Sequence, residues 1–155
     1  MTAASQAIAL AATAALCAVI SQAVHPRAPP WRQSWSDLVE RTTQELGVPV
    51  ATLEQARQIV ETGAHIVLDA RPPADFAAGH LPASFSVPSE EMAAYLPAVM
   101  PLLTREQPIM TYCSGKSCDE SLKLSQHLLE NGFTNVVLFI GGFADWTAAG
   151  LPVEK

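Results

Sequence analysis

Positive charge is scarce in this chain. Only 9 Lys and Arg stand against 15 Asp and Glu over 155 residues, for a formal net charge of −6 and a pI near 5.1. Such a balance offers no electrostatic footprint for a phosphate backbone, which excludes nucleic acid as a partner. His25, His65, His80 and His127 show none of the spacings that set two ligands on one metal, so neither a metal nor a cofactor is expected. Repeats and low-complexity segments are absent as well. Apolar material, in contrast, is plentiful: 49% of residues are hydrophobic and 15% charged, enough for the core of one ordinary domain plus an appendage.

Charged side chains are missing altogether from residues 1–24, and Ala7 to Ile20 is almost entirely Ala, Leu, Ile and Val. At about 1.5 Å per residue, residues 3–24 are long enough to cross a hydrocarbon core of about 30 Å, which predicts a single-pass membrane anchor. A cleaved secretory signal would carry a positive n-region that this segment lacks, although Ser21-Gln-Ala23 would serve as a cleavage site. A lipoprotein signal needs small residues before its cysteine, and Leu16 directly precedes Cys17. Cys17, inside the predicted anchor, reads as inert. The nearest basic residues, Arg27 and Arg32, follow the segment, so the positive-inside tendency favours the cytoplasmic over the extracytoplasmic side for the remainder.

Residues 25–47 read as a connection. His25-Pro-Arg-Ala-Pro-Pro30 is an extended spacer, and Ser36 to Leu46 is a short amphipathic helix stopped by Gly47. Trp31 and Trp35 suit either the membrane interface or packing of that helix. A domain over 48–155 follows. Thr52-Leu-Glu-Gln55 is a capping box opening a helix through Ala56, Ile59 and Val60 that Gly63 ends. His65 to Ala70 is apolar without alternation, as strands covered on both faces are. A short strand is predicted at Phe85 to Val87, and a helix opened by Ser89-Glu-Glu91 and broken by Pro97 and Pro101. Ile109 to Tyr112 and Asn135 to Ile140 are the two remaining strands. Strands alternating with helices predict an α/β fold with a parallel sheet and a ligand site beyond the strands' carboxyl ends.

One stretch organises the domain: Pro108-Ile-Met-Thr-Tyr-Cys113-Ser-Gly-Lys-Ser-Cys118-Asp-Glu120. It reads as strand, anion-binding loop, then a helix through Leu122, Leu124, Leu128 and Leu129 that stops at Asn131-Gly132. Ser117 and Glu120 form a second capping box, with Cys118 as the first helical residue. Backbone N–H groups, a helix N-terminus and Lys116 would all favour the Cys113 thiolate. The alternative is a buried structural cysteine. Gly115-Lys-Ser117 resembles the end of a Walker loop, but Met110 occupies the place of its first glycine. A cysteine phosphatase would need an arginine where Asp119 stands.

Asp69-Ala-Arg71, Asp75-Phe76, Gly79-His-Leu-Pro82, Tyr112-Cys113, Gly132-Phe133, Asn135-Val136, Gly141-Gly142, Trp146 and Gly150-Leu-Pro152 fall in a characteristic order and spacing. Across about residues 48 to 153 the chain resembles the rhodanese-like domain family. The resemblance implies a rhodanese-like parallel sheet flanked by helices and sulfur transfer: Cys113 takes a sulfane sulfur from a small donor, holds it as a persulfide and passes it to a thiol acceptor. It implies an anion cradle of Ser114, Gly115, Lys116, Ser117 and Cys118. Asp69 and Arg71 mostly hold loops in the family, and Arg71 is also a candidate to face the substrate.

The chain departs from the family at one telling place. Many catalytic members carry an arginine where Cys118 stands, and here Asp119 and Glu120 follow, so a dianion such as thiosulfate would be repelled. Cys118 has three open readings: a small side chain in the first helical turn, a residue that resolves the Cys113 persulfide, or one half of a thiol–disulfide pair. A non-catalytic interaction domain with a membrane protein partner is the remaining alternative.

Overall fold

The computed structural model describes residues 6, 12–20 and 35–155. Residues 6 and 12–20 are helical and exposed, while the rest of the predicted anchor at 3–24, the proline-rich spacer and Trp31 lie outside the described residues. Among the described residues no helix is long and apolar enough to cross a membrane. The chain divides into a unit at residues 1–34 and a unit spanning Trp35–Lys155, and the second carries everything below.

That unit runs α1 (Trp35–Glu45), α2 (Leu53–Thr62), β1 (Ile66–Asp69), α3 (Pro73–Ala78), β2 (Ser84–Ser86), α4 (Met92–Val99), β3 (Ile109–Tyr112), α5 (Glu120–Glu130), β4 (Val136–Phe139) and α6 (Gly142–Ala148). The four strands form one parallel sheet in the order β2-β1-β3-β4. Each strand read from the sequence has its counterpart in the sheet. Two isolated bridges lie outside it, Val50 with Leu138 in parallel and His80 with Glu154 antiparallel.

Strand β3 lies at the centre and is buried along its length. Because successive strand residues point to opposite faces, Ile109 and Cys113 enter a core with Leu124 and Leu128 of α5 and Val99 of α4. Met110 and Tyr112 enter the other core, with Ala56 of α2 and Trp146 of α6. Thr111 follows the first set, its hydroxyl 2.6 Å from that of Ser125 on α5. Strand parity therefore decides that the Cys113 sulfur faces α5. Helix α1 packs by Val39 against Val48, Leu122 and Leu138.

Several local signals act as their chemistry demands. Thr52 and Gln55 form the reciprocal capping box of α2, at 2.8 and 3.2 Å, and Gly63 closes that helix at φ 63°. Pro97 does not break its helix: α4 runs through it to Val99 and continues as a 3-10 turn over Met100–Leu102. The helix after Cys113 starts at Glu120, with no side-chain cap, so the Ser117 capping box does not form. Its reason is local. The Cys118 N–H closes a turn onto the Gly115 carbonyl at 3.0 Å, which keeps residues 115–118 curled beside Cys113 instead of winding them into α5.

Beyond the ends of β1 and β3 lies a buried charged network. Asp69 is directly paired with Tyr112 in the parallel register. Its carboxylate accepts from the Tyr112 hydroxyl at 2.5 Å and from Arg71 Nη2 at 2.6 Å. Arg71 Nη2 also donates to the Gly79 carbonyl at 2.8 Å, and the Leu81 N–H donates to the Tyr112 oxygen at 3.1 Å. Burial, followed by the Asp69 carboxylate, pushes the Tyr112 phenol well above its ordinary range. Removing one partner of a buried ion pair strands the other, at a cost of about 3–5 kcal/mol. Asp69→Ala is expected to lower the urea unfolding free energy by about that amount. An unchanged unfolding midpoint would show that the network contributes no stability.

Candidate active site

Cys113 is the first residue past β3, and its chain direction is imposed by the strand before it and the helix behind it. The Cys113 carbonyl accepts from the Phe143 N–H at 2.8 Å and the Ser114 carbonyl from the Ala144 N–H at 2.9 Å. Two orphan donors of the first turn of α6 are thereby spent on the loop. Gly142 makes this approach possible. It sits at φ 59°, and a Cβ there would overlap the Cys113 carbonyl oxygen, so both the conformation and the space require glycine.

The Cys113 sulfur lies between the Ser121 hydroxyl and the backbone carbonyls of Gly115 and Cys118. Ser121 Oγ, on the first turn of α5, donates to it at 3.1 Å, and the Cys118 carbonyl lies 3.5 Å away. Cys113 Sγ, Cys118 Sγ and a Glu120 carboxylate oxygen all lie within 4.8 Å of one another. The neighbouring Cys118 side chain does most to bring the Cys113 pKa down to about 7, burial opposes it, and the Ser121 hydroxyl and the Gly115 and Ser121 N–H groups add to the lowering. The same contact, with burial, pushes the Cys118 thiol well above its ordinary range. Burial, aided by the neighbouring Cys118 sulfur, raises Glu120 to about 7.

The expected cradle is thus partly redrawn. Gly115 supplies an N–H to the sulfur, but the Cys118 N–H serves the turn, and Ser114 and Ser117 are exposed. Lys116 is not a free positive charge over the thiolate: its ammonium is 3.3 Å from Asp145 on α6, in an exposed pair. Arg71 is 4% exposed, bonded to Asp69 and Gly79 and stacked 4.1 Å over the Phe143 ring. Its donors to Asp69 and Gly79 hold the network together, and the structure does not bring it to the sulfur. His80 makes the backbone contact read from its turn, Nδ1 lying 3.0 Å from the Phe76 carbonyl. Ser121 is the residue the sequence reading missed. Its only signal is helical position, on the face that α5 turns toward Cys113.

With this geometry in view, the comparisons with known proteins fall into place. The rhodanese-like domain family matches residues 52–149, more than half of the chain. The chain belongs to the rhodanese-like domain family. Among curated relatives, it is 28% identical over 122 residues to the HTH-type transcriptional regulator Rv0324 of Mycobacterium tuberculosis, covering 77% of this chain and 52% of that protein. It is 31% identical over 93 residues to the thiosulfate sulfurtransferase GlpE of Pseudomonas aeruginosa, covering 60% of this chain and 78% of that one. It spans about half the length of the regulator and 30% of the tRNA uridine(34) hydroxylase of Photorhabdus laumondii. Of solved structures, the rhodanese-like domain of the Anabaena Alr3790 protein superposes at TM-score 0.56 with 27% identity, covering 69% of this chain and 79% of that one. The Bacillus halodurans protein BH2092, at TM-score 0.63 and 23% identity over 77% of this chain and 85% of its own, shows the shared fold.

A thiolate held by neutral donors reacts when it is ionised, so its alkylation reports the cradle directly. Alkylation of Cys113 by iodoacetamide, followed by peptide mass spectrometry, is expected to rise with pH through a midpoint near 7, against the ordinary 9.0. Cys118→Ala is expected to move the midpoint upward. A midpoint unchanged by that substitution would remove Cys118 from thiolate stabilisation.

Proposed function

We propose that this protein is a rhodanese-type sulfurtransferase that carries a sulfane sulfur on Cys113. The observation that carries the reading is the sulfur cradle itself: Ser121 Oγ donates to the Cys113 sulfur at 3.1 Å, and with the neighbouring Cys118 and two backbone N–H groups it brings the thiol to about 7. Hydrogen bonds of this kind stabilise a persulfide anion as they stabilise a thiolate. In the proposed cycle the Cys113 thiolate attacks the outer sulfur of a donor. A new S–S bond forms to Cys113, the donor's S–S bond breaks, and the donor leaves as its thiol. An acceptor thiol then attacks the outer sulfur and leaves as a persulfide, regenerating the Cys113 thiolate.

Charge decides the donor. Lys116 is paired with Asp145, Arg71 with Asp69, and Lys123 with Glu90 and Asp119. Around the sulfur these pairs leave neutral donors and the acidic Glu120, a poor setting for a thiosulfate dianion. A small organic persulfide, whose transferred sulfur is attached to no oxyanion, suits the site. The relatives named thiosulfate sulfurtransferase support the reaction class for this chain, not that donor.

The two sulfurs within 4.8 Å favour a second reading, direct thiol–disulfide exchange by Cys113 and Cys118. Substitutions separate the two. Sulfur transfer from glutathione persulfide to a monothiol is expected to vanish in Cys113→Ser and to persist in Cys118→Ser. Turnover of thiosulfate with cyanide should be slower by about tenfold or more, the equivalent of about 1.4 kcal/mol of repulsion. Loss in both variants would favour exchange, and loss in neither would leave a binding module for a protein partner.

For residues 3–24 the proposal is a single-pass membrane tether, supported by their uncharged apolar composition, with Arg27 and Arg32 favouring the cytoplasmic face for the domain. The full chain is expected to stay in the membrane pellet after carbonate extraction, and a chain lacking residues 3–24 to be released. Release of both would sink the tether.

A further inference from the structure

The sequence assigns Glu120 no more than a capping role, yet its carboxylate is the partner of the second cysteine. The Cys118 thiol donates to Glu120 Oε2 at 3.0 Å. The turn closed by the Cys118 N–H on the Gly115 carbonyl folds Cys118 back, so that its own carbonyl lies 3.5 Å from the Cys113 sulfur. With the two sulfurs within 4.8 Å, less than about 3 Å of approach separates them from the length of an S–S bond, about 2 Å. Glu120 also lines a cavity of about 100 Å³ with Ala70, Pro72, Pro88 and Ser89. Ser89 is buried there, and its hydroxyl has no hydrogen-bond partner. One carboxylate therefore joins the Cys118 thiol to a small space walled in part by a residue with an unused hydroxyl.

We propose that Cys118 resolves the Cys113 persulfide, closing a Cys113–Cys118 disulfide and releasing the outer sulfur as hydrosulfide, with Glu120 carrying the proton. The inference rests on the persulfide reading above and adds an activity to it: sulfide release in place of sulfur passage. The bond formed joins Cys118 Sγ to Cys113 Sγ, and the bond broken joins Cys113 Sγ to the outer sulfur. The Cys118 proton moves to the Glu120 carboxylate and from there to the leaving sulfur, so that HS⁻ departs. The sulfane sulfur gains two electrons and the two cysteine sulfurs lose one each, and no outside oxidant enters. A dithiol, in solution or on a partner protein, then reopens the disulfide by exchange.

Geometry explains why the internal thiol would outrun an external one. Cys113 is 1% exposed, and a tethered nucleophile reacts at an effective concentration that no free acceptor reaches. The base is needed because Cys118 is a weak acid in this setting. Glu120, raised to about 7, gains and loses a proton readily near neutrality.

The test uses the reduced full chain, loaded with glutathione persulfide, freed of excess donor and followed by intact mass, peptide mapping at Cys113 and sulfide trapping with monobromobimane. The wild type is expected to release one equivalent of sulfide and end two hydrogen atoms lighter. Cys118→Ser should retain one extra sulfur atom on Cys113 and release none. Glu120→Gln should release sulfide about 10²-fold more slowly, the usual scale of a lost proton carrier. If the wild type keeps its extra sulfur as stably as Cys118→Ser, resolution is refuted while the carrier reading stands. If the wild type becomes lighter without sulfide, the disulfide arises by oxidation and the proposal falls. If Glu120→Gln matches the wild-type rate, Glu120 has no part in the step. If neither wild type nor Cys118→Ser takes up sulfur, the carrier reading fails, and this inference with it.

Discussion

The arrangement depends on one buried carboxylate. Asp69 is fully buried at the end of β1, and it collects the Tyr112 hydroxyl and the Arg71 guanidinium. Each of these has a second attachment: Tyr112 to the Leu81 N–H, Arg71 to the Gly79 carbonyl and the face of Phe143. Charge buried without partners is costly, so the three groups lock one another in place. They bind the ends of two central strands to the Gly79–Leu81 turn and to α6. Helix α6 in turn holds the Cys113 and Ser114 carbonyls. The sulfur is thus positioned through the face of the sheet opposite to its own.

On its own face the sulfur meets a different kind of chemistry. Ser121, Cys118 and backbone N–H groups lower its pKa without a formal positive charge nearby, because Lys116 is drawn off by Asp145. A cradle of neutral donors stabilises an anionic sulfur whatever the remainder of the donor molecule is. An oxyanion, by contrast, needs cations that this site has already committed to carboxylates. The presence of Glu120 one hydrogen bond from Cys118 then gives the second cysteine a proton acceptor of its own.

Much of the fold was legible from local signals. The unalternating apolar run at His65 to Ala70, the Thr52–Gln55 capping box, and Gly63 each specify a structure through nearest neighbours, and each is observed. Cys113 could be singled out because a strand that ends at a cysteine before a glycine-containing loop is unusual enough to carry chemistry. The misreadings are two. Ser117 to Glu120 has the composition of a capping box, but the local turn from the Cys118 N–H to the Gly115 carbonyl takes its place, and Pro97 has that of a helix breaker, yet its helix runs on to Val99.

The sequence by itself determined the alternation of strands and helices, the strand leading to Cys113, and the shortage of cations that bears on any anionic substrate. Those properties arise from composition and from periods of two and 3.6 residues, which need no knowledge of distant contacts. Only the tertiary structure decided that Ser121 and Cys118 would meet the sulfur, that Lys116 would be paired with Asp145, and that Arg71 would be spent on Asp69. Lys116 and Asp145 stand 29 residues apart, and Cys113, Cys118 and Ser121 meet across a curled loop, while Arg71 reaches Asp69 two residues away only because the turn after β1 is buried. Their distances follow from how loops and helices pack on the sheet, which propensity and periodicity do not specify.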